Sequence, residues 1–284
     1  MATSHKNANY ALAYREALRW HIDCSAGFAW AENAVNYAED PLSNQNVLKP
    51  AKDGSSSPIP TNQAQTVGQG PDEDAAQSRQ NADKLDIAAD SLDSFKQAIA
   101  SFDGLAIQKT ATNIVFSDGN PEARIMLIGE APGTDEDRQG KPFVGKSGEL
   151  LDKILSFINI DRHAEDPAKT IYISNILNWR PPGNRTPTPS EIEISLPFIE
   201  KHIALIKPDI LILCGGIAAK TLLNKSDGIT KLRGKWSDFS PQILPAQDFP
   251  AIKAMATYHP SYLLRNPAQK KNIWQDMLAV RNEI

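Results

Sequence analysis

The sequence predicts an α/β fold, a three-layer α/β/α sandwich with a short, mostly parallel central sheet. Three observations carry this. Apolar runs of strand length alternate with longer segments of helical periodicity. Most of those runs are apolar throughout, as strands covered on both faces are. Glycine, proline and polar clusters follow the runs, at the strand ends where open α/β sheets build ligand sites.

Taken in order, Ser91 is placed to cap a helix containing Leu92, Phe95, Ile99 and Phe102. Strands are expected at Thr112–Phe116, Arg124–Ile128, Thr170–Ser174, Asp209–Leu213 and Ala254–Thr257. Helices are expected at Gly148–Phe157, Ser190–Ile206, Ala218–Leu223 and Lys270–Arg281. Ahead of this region, residues 1–40 read as a helical appendage, with Tyr10, Tyr14, Leu18 and Ile22 near helical spacing. Residues 41–90 turn polar and rich in Pro, Gly and Ser, a composition that cannot bury enough surface to order itself, and are expected to form a disordered linker. The compact domain is therefore expected over 91–284, a usual size for one domain.

Composition narrows the function. The chain has 284 residues, 41% of them hydrophobic and 23% charged, enough for a well-cored domain. No apolar run of about 18 residues and no secretion-type N-terminus is visible, so a cytoplasmic protein without a membrane partner is expected. Cys24 and Cys214 are the only cysteines, too few for a disulfide framework or an all-cysteine metal site; Cys214, in the run ILILC, reads as a buried small hydrophobe. The net charge of -4 argues against an anionic partner, but it is uneven. Residues 1–120 carry 9 basic against 15 acidic side chains, and the remainder carries 21 against 19. In that second part Lys141, Lys146, Arg180, Arg185, Arg233, Lys235 and Arg265 fall in expected loops, so a local basic groove for a phosphate backbone is compatible with an acidic chain.

Three strand ends carry residues too specific for scaffold. The first is Gly129-Glu-Ala-Pro-Gly133 with Glu136 and the downstream Pro142-Phe-Val-Gly145; the second is Asn175 followed by Arg180-Pro-Pro-Gly-Asn-Arg-Thr-Pro187; the third is His259-Pro-Ser-Tyr-Leu-Leu-Arg265. Together they offer a carboxylate, a ring able to stack on a flat ligand, an amide that both donates and accepts, a histidine, and an apolar wedge beside an arginine.

This set, in this order, resembles the uracil-DNA glycosylase superfamily, most closely its family 4, from about Phe102 to the C-terminus. The resemblance implies an enzyme that flips uracil out of DNA and hydrolyses its N-glycosidic bond. Ala131, Phe143 and Asn175 would line the uracil pocket, with Phe143 stacking on the base and Asn175 reading its O4 and N3–H. His259 would hydrogen-bond O2 as charge builds on the leaving base. Family-1 enzymes place a water-activating aspartate where this chain has Ala131, so water positioning would fall to Glu130, second to Glu136, or to backbone carbonyls. Either glutamate could instead satisfy backbone N–H groups at the next helix start. Leu263, Leu264 and Arg265 resemble the loop that fills the gap left by the flipped nucleotide. Arg180, Gly215 and Ser261 would contact the DNA strand, unless Gly215 and Gly216 serve only as a turn. Neither GEAPG nor HPSYLLR contains a lysine, so a monofunctional enzyme without lyase chemistry is expected. A non-catalytic uracil-DNA or single-strand binding module, and a glycosylase for another deaminated base, remain open. So does recruitment of a repair or replication partner by the N-terminal segment. By the same resemblance the protein would act as a monomer, associated with the nucleoid.

The chain departs from the family in one respect. Family 4 holds a four-iron, four-sulfur cluster on four cysteines, and the matching positions here are Phe102, Leu105, Trp179 and Ser195. No cluster is therefore expected, and an apolar plug is expected to pin the surrounding loops in its place.

Overall fold

The computed structural model describes residues 89–284. Among these residues one sheet has six strands, β1 (Asp118–Gly119), β2 (Ile125–Gly129), β3 (Tyr172–Asn175), β4 (Ile210–Cys214), β5 (Trp236–Asp238) and β6 (Lys253–Thr257), in the order β1-β3-β2-β4-β6-β5. The four inner strands run parallel, and the short strands β1 and β5 close the edges antiparallel. The helices are α1 (Leu92–Ser101), α2 (Thr134–Gln139), α3 (Lys146–Ser156), α4 (Pro189–Ile206), α5 (Gly216–Leu223), α6 (Ile229–Leu232), α7 (Pro260–Arg265) and α8 (Lys270–Arg281).

The inner strands are apolar at nearly every position because alternate side chains enter two different cores. Ile125, Leu127, Ile173, Ile210, Ile212 and Met255 pack on one face with residues of α3 and α8. Met126, Ile128, Leu211, Leu213, Ala254 and Ala256 pack on the other with residues of α1, α4 and α5. Cys214 lies in the first of these cores, fully buried. The expected three layers are present.

Chain direction sets the position of the site. From β2 the chain crosses to β3 on one side and then returns to β4 on the other, so the strand order reverses at β2. A crevice opens at such a reversal, outside the carboxyl ends of the strands.

Several sequence expectations need correction. Thr112–Phe116 is not a strand. Its backbone is held by side chains instead of a ladder: Thr112 and Asn113 N–H donate to Asp137, Asn178 brackets Val115 with a backbone and a side-chain bond, and Ser174 Oγ donates to the Phe116 carbonyl. Strand β5 and helices α2 and α7 form in segments read as loops. Ser91 caps α1 as expected, accepting from Ser94 N–H at 3.2 Å. The expected N-terminal helix, nearly all of the linker, and Cys24 lie outside the described residues.

Candidate active site

The four parallel strands all end at one edge of the sheet, and each end supplies part of a cavity of about 520 Å³. From β2 come Glu130, Ala131, Pro132 and Gly133; from β3, Asn175; after β4, Gly215 and Gly216; after β6, His259, Ser261, Tyr262 and Arg265. Phe143 and Ser147 reach the cavity from the loop and first turn ahead of α3's body, and Pro181, Asn184 and Arg185 from the loop after β3.

Close approach explains the glycine that ends β2. A methyl group on Gly129 would lie 2.3 Å from Asn175 Oδ1 and 2.8 Å from the Phe143 ring. Glycine alone lets ring and amide lie against the strand end. Phe143 itself has φ 53°, left-handed backbone that costs a non-glycine residue roughly 1–2 kcal/mol. Gly148 faces the same loop, where a side chain would strike the Phe143 carbonyl at 1.8 Å. The Phe143 ring is 5% exposed and lies 5.2 Å from the His259 ring, tilted by 31°. Asn175 is 3% exposed, and among the described residues its side-chain amide makes no hydrogen bond. The amide opens into the cavity, so its donor and acceptor are free for a ligand.

His259 caps α7. Its Nδ1 accepts from Ser261 N–H at 3.2 Å and lies 2.8 Å from Ser261 Oγ. Burial, with Arg265 adding to it, pushes the imidazole pKa down to about 4, so the ring is neutral at pH 7. Because Nδ1 must accept, the single ring proton resides on Nε2, which is left as a donor for the cavity.

The two acidic candidates differ. Glu136 is committed: Oε2 accepts from Gly133 N–H at 3.1 Å, and Oε1 accepts from Val144 and Gly145 N–H at 3.2 and 3.4 Å. Glu130 has no such partners for its carboxyl among the described residues, and burial raises its pKa above the ordinary 4.5.

Three DNA-contact expectations change. Leu263 is fully buried in the core, whereas Leu264 is 47% exposed, so of the two only Leu264 is placed to meet DNA. Gly215 N–H is committed to the Thr257 carbonyl at 2.9 Å. What Gly215 supplies is a backbone turn at φ 104°, not a free phosphate donor. The expected basic groove is partly neutralised: Arg185 pairs with Glu191, Arg233 with Asp276 and Lys141 with Asp118, whereas Lys146 and Lys235 are exposed. Arg180 donates to Asn184 and faces Asp137 at 3.8 Å, while Arg265 stays exposed beside the cavity. Sequence reasoning does not single out Ser147, Tyr262 or Arg162. The first two had a signal in their adjacency to motif residues; Arg162 had none, because it acts from behind the loop.

Sheet and cavity together define an α/β protein that gathers an aromatic ring, an unpaired amide and a neutral imidazole in one cavity at its strand ends. The family model of the Uracil DNA glycosylase superfamily matches residues 116–278, and the chain belongs to that superfamily. It is 35% identical over 191 residues to the type-4 uracil-DNA glycosylase of Archaeoglobus fulgidus, covering 66% of this chain and 90% of that protein. It is 34% identical over 200 residues to the type-4 uracil-DNA glycosylase of Sulfurisphaera tokodaii, covering 68% and 84%. To that of Thermotoga maritima it is 40% identical over 156 residues, covering 55% and 73%.

Proposed function

We propose that the protein is a monofunctional uracil-DNA glycosylase of base-excision repair. The observation that carries this reading is the uncommitted Asn175 amide, buried against Phe143 and across the cavity from a neutral His259. Uracil O4 and N3–H complete that amide, whereas cytosine presents the opposite donor and acceptor pattern. Phe143 stacks on the flipped base. As the N-glycosidic bond breaks, positive charge grows on the sugar and negative charge on the base. His259 Nε2–H donates to uracil O2 where that negative charge collects. Glu130, with its carboxyl free, positions the water that attacks the sugar. Glu136 does not serve as base, since both of its oxygens already hold backbone N–H groups. The products are free uracil and an abasic site. The relatives' names, type-4 uracil-DNA glycosylase, support this assignment.

The finer reading is an enzyme acting as a monomer on uracil-containing DNA in the cytoplasm, at the nucleoid, with no membrane partner. Among the described residues no helix is long and apolar enough to cross a membrane. Residues 1–90 are the part available to recruit a repair or replication partner.

The site does not fit the iron–sulfur cluster that the family resemblance implies, and we infer a cluster-free enzyme. Phe102, Leu105, Trp179 and Ser195 stand at the four ligand positions, each at most 3% exposed, and the chain has two cysteines in all. Phe102 packs edge-on to Phe198 with centroids 5.0 Å apart, filling space with carbon. Ser195 Oγ is buried without a hydrogen-bond partner.

The test is alkali-revealed cleavage of a uracil-containing oligonucleotide by the purified full chain, with its iron content measured. Cleavage without iron, lost in Asn175→Ala, is expected. Retained binding to uracil-DNA with no cleavage would instead make the protein a binding module. Stoichiometric iron in active protein would refute the cluster-free inference.

A further inference from the structure

Phe143 lines the cavity in left-handed backbone, and two charged side chains grip the chain on either side of it. On the following side, Glu136 accepts from the N–H groups of Val144 and Gly145. On the preceding side, Arg162 Nη1 donates to the Pro142 carbonyl at 3.2 Å. Arg162 is anchored in turn. Its side chain is 3% exposed, its Nη1 also reaches Asp118 at 3.2 Å, and its Nε donates to Asp152 at 2.8 Å. One guanidinium thus ties the edge strand β1, helix α3 and the Phe143 loop together behind the cavity.

We propose that Glu136 and Arg162 are positioning residues that bracket Phe143 from opposite sides and fix the angle at which its ring receives the base. The proposal rests on the uracil-glycosylase reading for its consequence, though the bracket is a property of the loop itself. The polarity fits. A carboxylate grips donors and a guanidinium grips an acceptor, each the stronger, charge-assisted kind of hydrogen bond. Arg162 lies outside the cavity, and Glu136, though it lines the cavity, turns its carboxylate to backbone N–H groups of the loop, so both act through the ring. The bracket also explains why an acidic residue stands at 136 in the first motif without serving as base: its charge is spent on three backbone N–H groups. A left-handed aromatic persists only where its surroundings over-determine it, and these two residues supply the charged part of those surroundings.

The test uses the full chain with Glu136→Gln and Arg162→Gln, each alone and combined with Phe143→Ala. The readouts are kcat and KM on a single-stranded uracil oligonucleotide, melting temperature, and amide hydrogen exchange over 142–145. Each single variant is expected to lower kcat/KM about 5- to 100-fold, the range that loss of base–aromatic stacking spans. Each should keep the wild-type pH profile and lose exchange protection at Val144 and Gly145. In the Phe143→Ala background the same changes should cost less than about twofold, because coupled residues are not additive. Equal losses in both backgrounds, or unchanged exchange at Val144 and Gly145, would overturn the proposal. So would loss of the acidic limb of the pH profile in Glu136→Gln, which would make Glu136 the base. If Arg162→Gln fails to fold, the near-isosteric Glu136→Gln decides alone. A wild-type protein that releases no uracil would refute the functional reading, and the exchange data would still decide the bracket.

Discussion

Two corners of this molecule solve the same problem, holding loops in place at the end of a sheet, by opposite means. Around Phe143 the loop is gripped by charged side chains that bond to individual backbone groups. Around Trp179 it is held by an apolar plug in which Phe102, Leu105 and Trp179 are buried with Phe198. Directional bonds fix an angle, and a stacking ring needs an angle. Apolar burial is non-directional and scales with area, which suits a corner that has only to remain closed. The family resemblance would give that second corner to a metal cluster, a rigid and directional device. On the cluster-free reading proposed above carbon fills it, and the stability of the corner should follow ordinary packing rules.

The largest effect that could break this comparison is Trp179→Ala. A buried tryptophan cut to alanine costs about 3–5 kcal/mol, so chemical denaturation should report a loss of that order. Iron or chelator should move neither the wild type nor the variant. A loss under about 1 kcal/mol would show that something other than the plug closes this corner.

Next in size is His259→Ala, which tests the directional corner. Removing one donor to a developing anion costs about 10²- to 10³-fold in kcat. Melting temperature should fall far less than in Trp179→Ala, since His259 gives up one cap and no core. Equal falls in stability would mean that the two corners are not separable.

How much of this division was visible in the sequence depended on what held each segment. Strands β2, β3, β4 and β6 were legible within one or two residues, because both of their faces are apolar. Phe143, Asn175 and His259 were legible as motif residues that the fold then brought to one cavity. Thr112–Phe116 misled because its apolar side chains resemble those of a strand, while its backbone partners are distant side chains, Asp137 and Ser174 among them. Helix α2 has no apolar stripe; it is set by Glu136 reaching back to Gly133, a capping pair hidden within an acidic run. Helix α7 did carry a start signal, proline at its first position after a capping residue. For Glu136 and Gly215 the sequence offered both a site role and a backbone role without choosing between them, because sequence names a side chain but not its partner; the structure gives both to the backbone.

A pH titration separates the two acidic candidates with a smaller effect. Burial raises the Glu130 pKa, so its carboxylate is lost on acidification at a pH above the ordinary 4.5. His259 stays neutral until about pH 4 and contributes nothing in that window. kcat should therefore fall as pH drops through the raised Glu130 value. Glu130→Gln should be slower at neutral pH and flat across that range. An acidic limb that survives in Glu130→Gln would return water positioning to another group.

The smallest effect is expected from two adjacent leucines that divide the roles of scaffold and contact at the scale of one residue. Leu263 faces the core and is fully covered, while Leu264, the next residue on the same short helix, is 47% exposed beside the cavity. Helical geometry turns successive side chains by about 100°, so one of the pair must point outward when the other packs. An exposed leucine adds little to folding, and Leu264→Ala should leave stability within about 0.5 kcal/mol. A wedge matters where a stack must be filled after a base leaves it, which happens in duplex and not in single-stranded DNA. Leu264→Ala should therefore slow uracil excision several-fold from duplex, and much less from single strands. An equal loss on both substrates would show that Leu264 acts on the pocket itself, and the apolar side chain that fills the duplex would have to come from elsewhere in the chain.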